Sequence, residues 1–94
     1  MFNIIGVLSI NPNSSEKLQE LLKPLLEASR SDSGCISYEC KPDALNKDTY
    51  LFLETWQDDA SLDAHMKTTH FKTFVEAVDS ILEAPLELHK ILLD

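Results

Sequence analysis

Ninety-four residues are enough for one domain, spanning residues 1–94, whose own core is modest and gains from a subunit interface. Sixteen acidic against eight basic side chains give a net charge of -8, a field that repels polyphosphates and anionic membranes, so nucleic acid and membrane surfaces are excluded as partners. With 44% hydrophobic and 26% charged residues the balance is that of a globular protein and not of a disordered chain.

The chain opens on Met1-Phe2-Asn3-Ile4-Ile5, which lacks a basic leader region and reads as a strand. No apolar stretch approaches the ~20 residues that span a bilayer. The expected location is cytoplasmic. Residues 2–10 form a first strand, ended by Asn11-Pro12-Asn13. Asn13 to Glu16 has the spacing of a capping box, with Asn13 at the N-cap. The helix that follows carries Leu18, Leu21, Leu22 and Leu25 as one buried stripe, with an expected kink at Pro24 and a stop at Gly34. Residues 35–41 form a second strand and residues 49–57 a third. Asp58 or Asp59 caps a short helix over 59–66, and Thr68 or Thr69 caps a longer one over 69–83. Its apolar face is Phe71, Phe74, Val75, Val78 and Leu82. Ala84-Pro85 breaks it, and residues 86–93 form a last strand. The order β-α-β-β-α-α-β is the α+β ferredoxin-like plan, an antiparallel sheet with its second helix in two pieces.

Both faces of the central strands are apolar. In the third strand Tyr50, Phe52, Glu54 and Trp56 point one way, and Leu51, Leu53, Thr55 and Gln57 the other. In the first strand Phe2, Ile4, Leu8 and Ile10 oppose Ile5 and Val7. One-sided helical cover predicts cleaner alternation, so a second copy of the sheet is the simplest cover for the other face, giving a homodimer. Cys35 and Cys40 lie five apart, which on a regular strand places them on opposite faces roughly 16 Å apart. They read as free thiols of a reducing compartment.

Candidate chemistry centres on His65. Leu62, His65 and Met66 lie within about 100° of one another on the short helix, so His65 faces inward. An inward imidazole beside Trp56 suits a polar anchor that takes or gives a proton; the same position also suits a core histidine satisfied by a backbone carbonyl. Glu54 shares a strand face with Phe52 and Trp56 and is expected to be salt-bridged at a rim, the alternative being a dry pocket and a raised pKa. Tyr38, Phe71 and Phe74 are candidate aromatic walls. His70 reads as a boundary residue or as part of a pocket mouth, and His89 as structural. His65 and His70, at i and i+5, do not share a helix face, so no metal site is expected. There is no Gly-rich phosphate loop, CxxC, nucleophile elbow or HExxH, and the expected cofactor set is empty.

Three segments carry a resemblance: Gly34-Cys35-Ile36-Ser37-Tyr38-Glu39, then Tyr50 to Trp56, then Ala64-His65-Met66-Lys67-Thr68-Thr69-His70-Phe71-Lys72-Thr73-Phe74. Together they resemble the antibiotic-biosynthesis-monooxygenase family over nearly the whole chain. The resemblance implies a dimeric α+β barrel with a pocket between each subunit's sheet and helices. It implies oxidation of small quinol- or anthrone-type aromatics by O2 without metal or flavin, with Trp56 and His65 at the positions most often implicated and Glu54 within the motif. Phe52, Tyr38, His70 and Phe74 would then contact substrate. Heme-degrading members use an Asn, a Trp and an iron-ligating His where this chain has Gly6, His65 and Val75, which disfavours that branch. A branch that isomerises a phosphorylated autoinducer shares the His motif; Lys67 and Lys72 are nearby, without a compact phosphate-binding set. The two alternatives are an isomerase or other, hydrolase-like processing enzyme of a small oxygenated metabolite, and a non-catalytic ligand-binding dimer.

Overall fold

Alternating large apolar side chains drive the first element. In the computed structural model, β1 (Phe2–Ser9) buries every second residue, with Phe2, Ile4 and Leu8 facing inward. That structure describes residues 1–93; Asp94, the last residue of the expected domain, lies outside the described residues. The order continues with α1 (Ser15–Ser29), β2 (Cys35–Pro42), β3 (Thr49–Trp56), α2 (Asp59–Met66), α3 (Thr69–Val78), a single 3-10 turn at Asp79–Ile81, and β4 (Glu87–Leu92). The strands form one antiparallel sheet in the order β2-β3-β1-β4, the ferredoxin-like topology. The helices supply the other half of the core, with Leu18, Leu22 and Leu25 of α1 and Phe74 and Val78 of α3 buried against the sheet.

Several local expectations change. Asn13 is not the cap of α1. It adopts a left-handed conformation (φ 68), which asparagine tolerates, and Ser14 takes the N-cap position without a side-chain cap bond. The helix then runs on through the exposed Pro24. The longer second-half helix ends at Val78 rather than at 83, because the chain must turn to join the end of β1. Asn11 N–H donates to the Ile81 carbonyl (2.8 Å) and Glu83 N–H to that of Ser9 (2.9 Å).

The cysteines do not point to opposite faces. A bulge between Cys35 and Ser37 inserts Ile36, so Cys35 pairs with Trp56, Tyr38 with Glu54 and Cys40 with Phe52. Directly paired residues share a face, so both thiols join Tyr38 on the helix-covered side. Ile36 is left about half exposed. Both cysteines are free, and burial pushes the thiols up to about 11 for Cys35 and about 12 for Cys40, where they stay protonated.

Ahead of β2 the chain makes a tight turn in which Cys35 N–H donates to the Asp32 carbonyl (3.0 Å). Gly34 occupies it with φ +80, and a Cβ there would lie 2.0 Å from Ser61 Oγ of α2. The Gly34 carbonyl also accepts from Gln57 N–H at 2.9 Å. This loop is thereby pinned against the β3–α2 join, and Asp32 comes with it.

Candidate active site

Between the inner face of the sheet and the helices lies a cavity of about 100 Å³, with an almost wholly apolar lining. Tyr38, Phe52 and Glu54 supply the sheet side; His65, Phe71 and Phe74 supply the helix side. Ile4, Leu86 and Leu88 are among the apolar residues that extend the wall, and Leu86 and Leu88 were not singled out from the sequence as site residues. Aromatic edges set the shape: Phe52 meets Phe74 at 5.8 Å and Tyr38 at 6.0 Å between ring centres.

His65 sits in the last turn of α2, 2% exposed. Its ring packs on Trp56 at 4.8 Å and on Tyr38 and Phe71 at 5.1 Å each. Nδ1 lies 2.7 Å from Oδ2 of Asp32, while Nε2 is buried with no hydrogen-bond partner. Burial holds the imidazole below the ordinary histidine value, and the hydrogen bond and charge of Asp32 oppose that shift. The core-histidine alternative required a backbone carbonyl on the ring; the partner is instead a carboxylate.

His70 Nε2 approaches the same Asp32 Oδ2 at 2.8 Å. The spacing rule for one helix does not apply here, because two helices meet between the histidines. The break is built by Thr68, whose hydroxyl donates to the His65 carbonyl (2.6 Å) and accepts from Phe71 N–H (3.3 Å) to cap α3. Asp32, His65 and His70 therefore bring three donor atoms within 4.8 Å of one another, a set that suits a borderline divalent ion. Asp32 was not singled out from the sequence. It stands 33 residues from His65 and 38 from His70, and no periodicity links residues so far apart.

Glu54 is not salt-bridged. It is 8% exposed, has no basic partner among the described residues, and accepts one hydrogen bond, from Trp56 Nε1 to Oε1 at 2.8 Å. Burial pushes its carboxyl up to about 7, and the Trp56 bond only partly offsets this. Trp56 itself is fully buried and is not part of the cavity lining. It stands behind the wall, between His65 and Glu54. His70 also lies outside this cavity and lines a neighbouring cleft beside Leu21 and Thr73.

The arrangement offers two titratable groups of different kinds on one apolar cavity. One is an imidazole with an unpartnered nitrogen; the other is a carboxyl that burial raises to about 7.

The sequence matches the antibiotic biosynthesis monooxygenase family over residues 1–77. It is 35% identical over 85 residues to the protein sll1783 of Synechocystis, covering 90% of this chain and 58% of that protein, so the chain spans little more than half of that relative's length. It is 28% identical to YcnE of Bacillus subtilis, covering 94% of this chain and 93% of YcnE. PA3566 of Pseudomonas aeruginosa superposes with a TM-score of 0.87 at 26% identity, covering 99% of this chain and 94% of that one. A crystal structure of an antibiotic biosynthesis monooxygenase superposes with a TM-score of 0.93 at 24% identity, covering 100% and 99% of the two chains, a likeness of fold.

Proposed function

The chain belongs to the antibiotic biosynthesis monooxygenase family, and from that premise we propose that it oxidises a small electron-rich aromatic, of quinol or anthrone type, with O2 and without a cofactor. The observation that carries this reading is the buried, unpartnered Nε2 of His65, on a ring that lines an apolar cavity. A bare imidazole nitrogen in a dry space takes a proton from the substrate's activated C–H or O–H. The resulting anion is the electron donor to O2, and a peroxide forms on carbon. The proton returns from His65 to the peroxide; the bare Nε2 then takes the remaining C–H proton, that C–H electron pair forms the new carbonyl as the O–O bond breaks, and the departing hydroxide takes the proton from His65 and leaves as water. In sum, a methylene group and one molecule of O2 give a carbonyl group and one molecule of water. The Glu54 carboxyl, when protonated, donates a hydrogen bond to a substrate or peroxide oxygen. Trp56 holds Glu54 through its other oxygen and stacks against His65.

A homodimer through the outer sheet face belongs to the same proposal. It is supported by Ile5, Val7, Leu51, Leu53 and Ile91, apolar side chains that share that face and remain half-buried or exposed. No helix of the described residues is long and apolar enough to cross a membrane, and a small-molecule partner in the cytoplasm remains the reading.

The Glu54–His65 pair also favours a second reading, an isomerase that moves a proton along an oxygenated metabolite without O2. For a phosphorylated substrate the cavity has little to offer, since Lys67 and Lys72 are exposed and neither lines it. Oxygen uptake across a panel of quinols and anthrones separates the two. The monooxygenase reading expects stoichiometric O2 consumption, reduced about 10²–10⁴-fold in His65→Ala. Turnover unaffected by removing O2 would favour the isomerase, and full activity in His65→Ala would end the assignment of His65.

A further inference from the structure

We propose that Asp32 is a positioning residue that fixes the ring proton of His65 on Nδ1, with His70 holding the Asp32 carboxylate to that task. A carboxylate only accepts hydrogen bonds, so a nitrogen 2.7 Å from Asp32 Oδ2 carries a hydrogen. In a neutral imidazole that leaves Nε2 bare. The opposite tautomer would set a lone pair on Nδ1 against the carboxylate, two acceptors at contact distance. Asp32 therefore selects the form of His65 that is a base at Nε2, the same nitrogen that the fold leaves buried and unpartnered.

The carboxylate is itself fixed from two sides. On one side is the backbone turn of Gly34, whose close approach to Ser61 admits no Cβ. On the other is His70, whose Nε2 donates to the same Oδ2 at 2.8 Å. Two donors on one oxygen hold the carboxylate's orientation. Thr68, bonded to both the His65 carbonyl and Phe71 N–H, sets the relative placement of the two histidines. The two rings differ in solvent access, with side-chain exposure of 1% for His65 and 23% for His70. His70 thus faces water behind the cavity wall while His65 faces the cavity.

The inference rests on the reading of His65 as the base, but its test does not need a substrate. In ¹⁵N-labelled protein at about pH 8, long-range ¹H–¹⁵N spectra identify the tautomer of each imidazole. Wild type is expected to show His65 protonated at Nδ1 and bare at Nε2. In Asp32→Asn the amide donates to Nδ1 instead, and the ring proton is expected to move to Nε2. His70→Gln keeps an N–H for Asp32 and is expected to retain the wild-type tautomer. Oxygen uptake with 1,4-dihydroxynaphthalene adds a second readout. There Asp32→Asn is expected to lose kcat by about 10²–10⁴-fold, the range for a misplaced catalytic proton, with KM little changed. A wild-type His65 protonated at Nε2 overturns the proposal, as does an unchanged tautomer in Asp32→Asn. A stoichiometric transition metal co-purifying on Asp32, His65 and His70 also overturns it, because a metal on Nδ1 sends the proton to Nε2. Should wild type consume no oxygen with any quinol, the monooxygenase reading falls, and the tautomer spectra still decide the role of Asp32.

Discussion

The two faces of the same sheet are built from similar residues and finished to different degrees. On the inner face Phe2, Ile4, Leu8, Phe52 and Trp56 are at most 6% exposed, sealed by α1 and α3. On the outer face Leu53 is 40% and Ile91 45% exposed, although both are as apolar as their inner neighbours. Apolarity therefore does not tell which face is core; what covers it does. The inner face stores the chain's stability and its candidate chemistry. The outer face stores free energy that only a second surface can release.

Substitutions on the two sides should behave differently, and Phe74→Ala should have the largest effect. It removes a buried ring that packs on Phe52, and the expected cost is about 3–5 kcal/mol in denaturant unfolding. A loss below ~1 kcal/mol would mean that the cavity wall, and not the core, is what Phe74 builds.

Glu54 comes next and also belongs to the inner face. Its carboxyl is raised from 4.5 to about 7, so the folded chain holds that proton more tightly than the unfolded chain does. Its contribution is therefore complete below about pH 4.5 and lost as pH rises through about 7, a span worth roughly 3 kcal/mol. Glu54→Gln, which stays neutral, should flatten this part of the stability–pH curve. An equal slope in the variant would show that the carboxyl is not the source.

Gly34→Ala follows, at about 1–3 kcal/mol, since a left-handed turn and the contact with Ser61 both oppose a side chain. Its secondary effect sharpens the comparison: the loop carries Asp32, so the variant should also disturb the imidazole spectra of His65. The smallest effect on folding is expected on the outer face. Leu53→Asp should change monomer stability by less than about 1 kcal/mol, yet sedimentation at micromolar concentration should fall from twice 10.6 kDa to a single chain. A wild-type protein that sediments as a monomer breaks the comparison at its root.

Periodicity reached the architecture because architecture is periodic. The alternation of Tyr50, Phe52, Glu54 and Trp56 and the stripe of Leu18, Leu22 and Leu25 name the inward faces directly. It failed wherever one residue departs from the repeat. The bulge at Ile36 leaves no mark in composition but reverses the face of Cys35. The site was half legible. His65 and Glu54 could be placed on inward faces, but the absence of a cation beside Glu54 is a property of the whole fold, not of its strand. The meeting of His70 with Asp32 depends on a helix break at Thr68 and a turn at Gly34, and neither has meaning until both segments are packed. Trp56 shares an inward strand face with Phe52 and Glu54 yet does not line the cavity. It lies behind the wall because its indole is turned to donate to that carboxyl.

Leu86 and Leu88 shape the cavity from the loop and strand at the sheet's edge, and Leu88 is 55% exposed. Leu88 therefore borders the cavity while adding little to the free energy of folding, whereas Leu86 also packs against the core. Substitutions at Leu88 are therefore expected to need less compensating stability elsewhere than substitutions of the buried rings. A library confined to Leu86 and Leu88 would explore new substrates while leaving Asp32, His65 and the buried aromatic rings unaltered. The proposed chemistry lies on the heavily packed side of the cavity and the exposed Leu88 on the thin one.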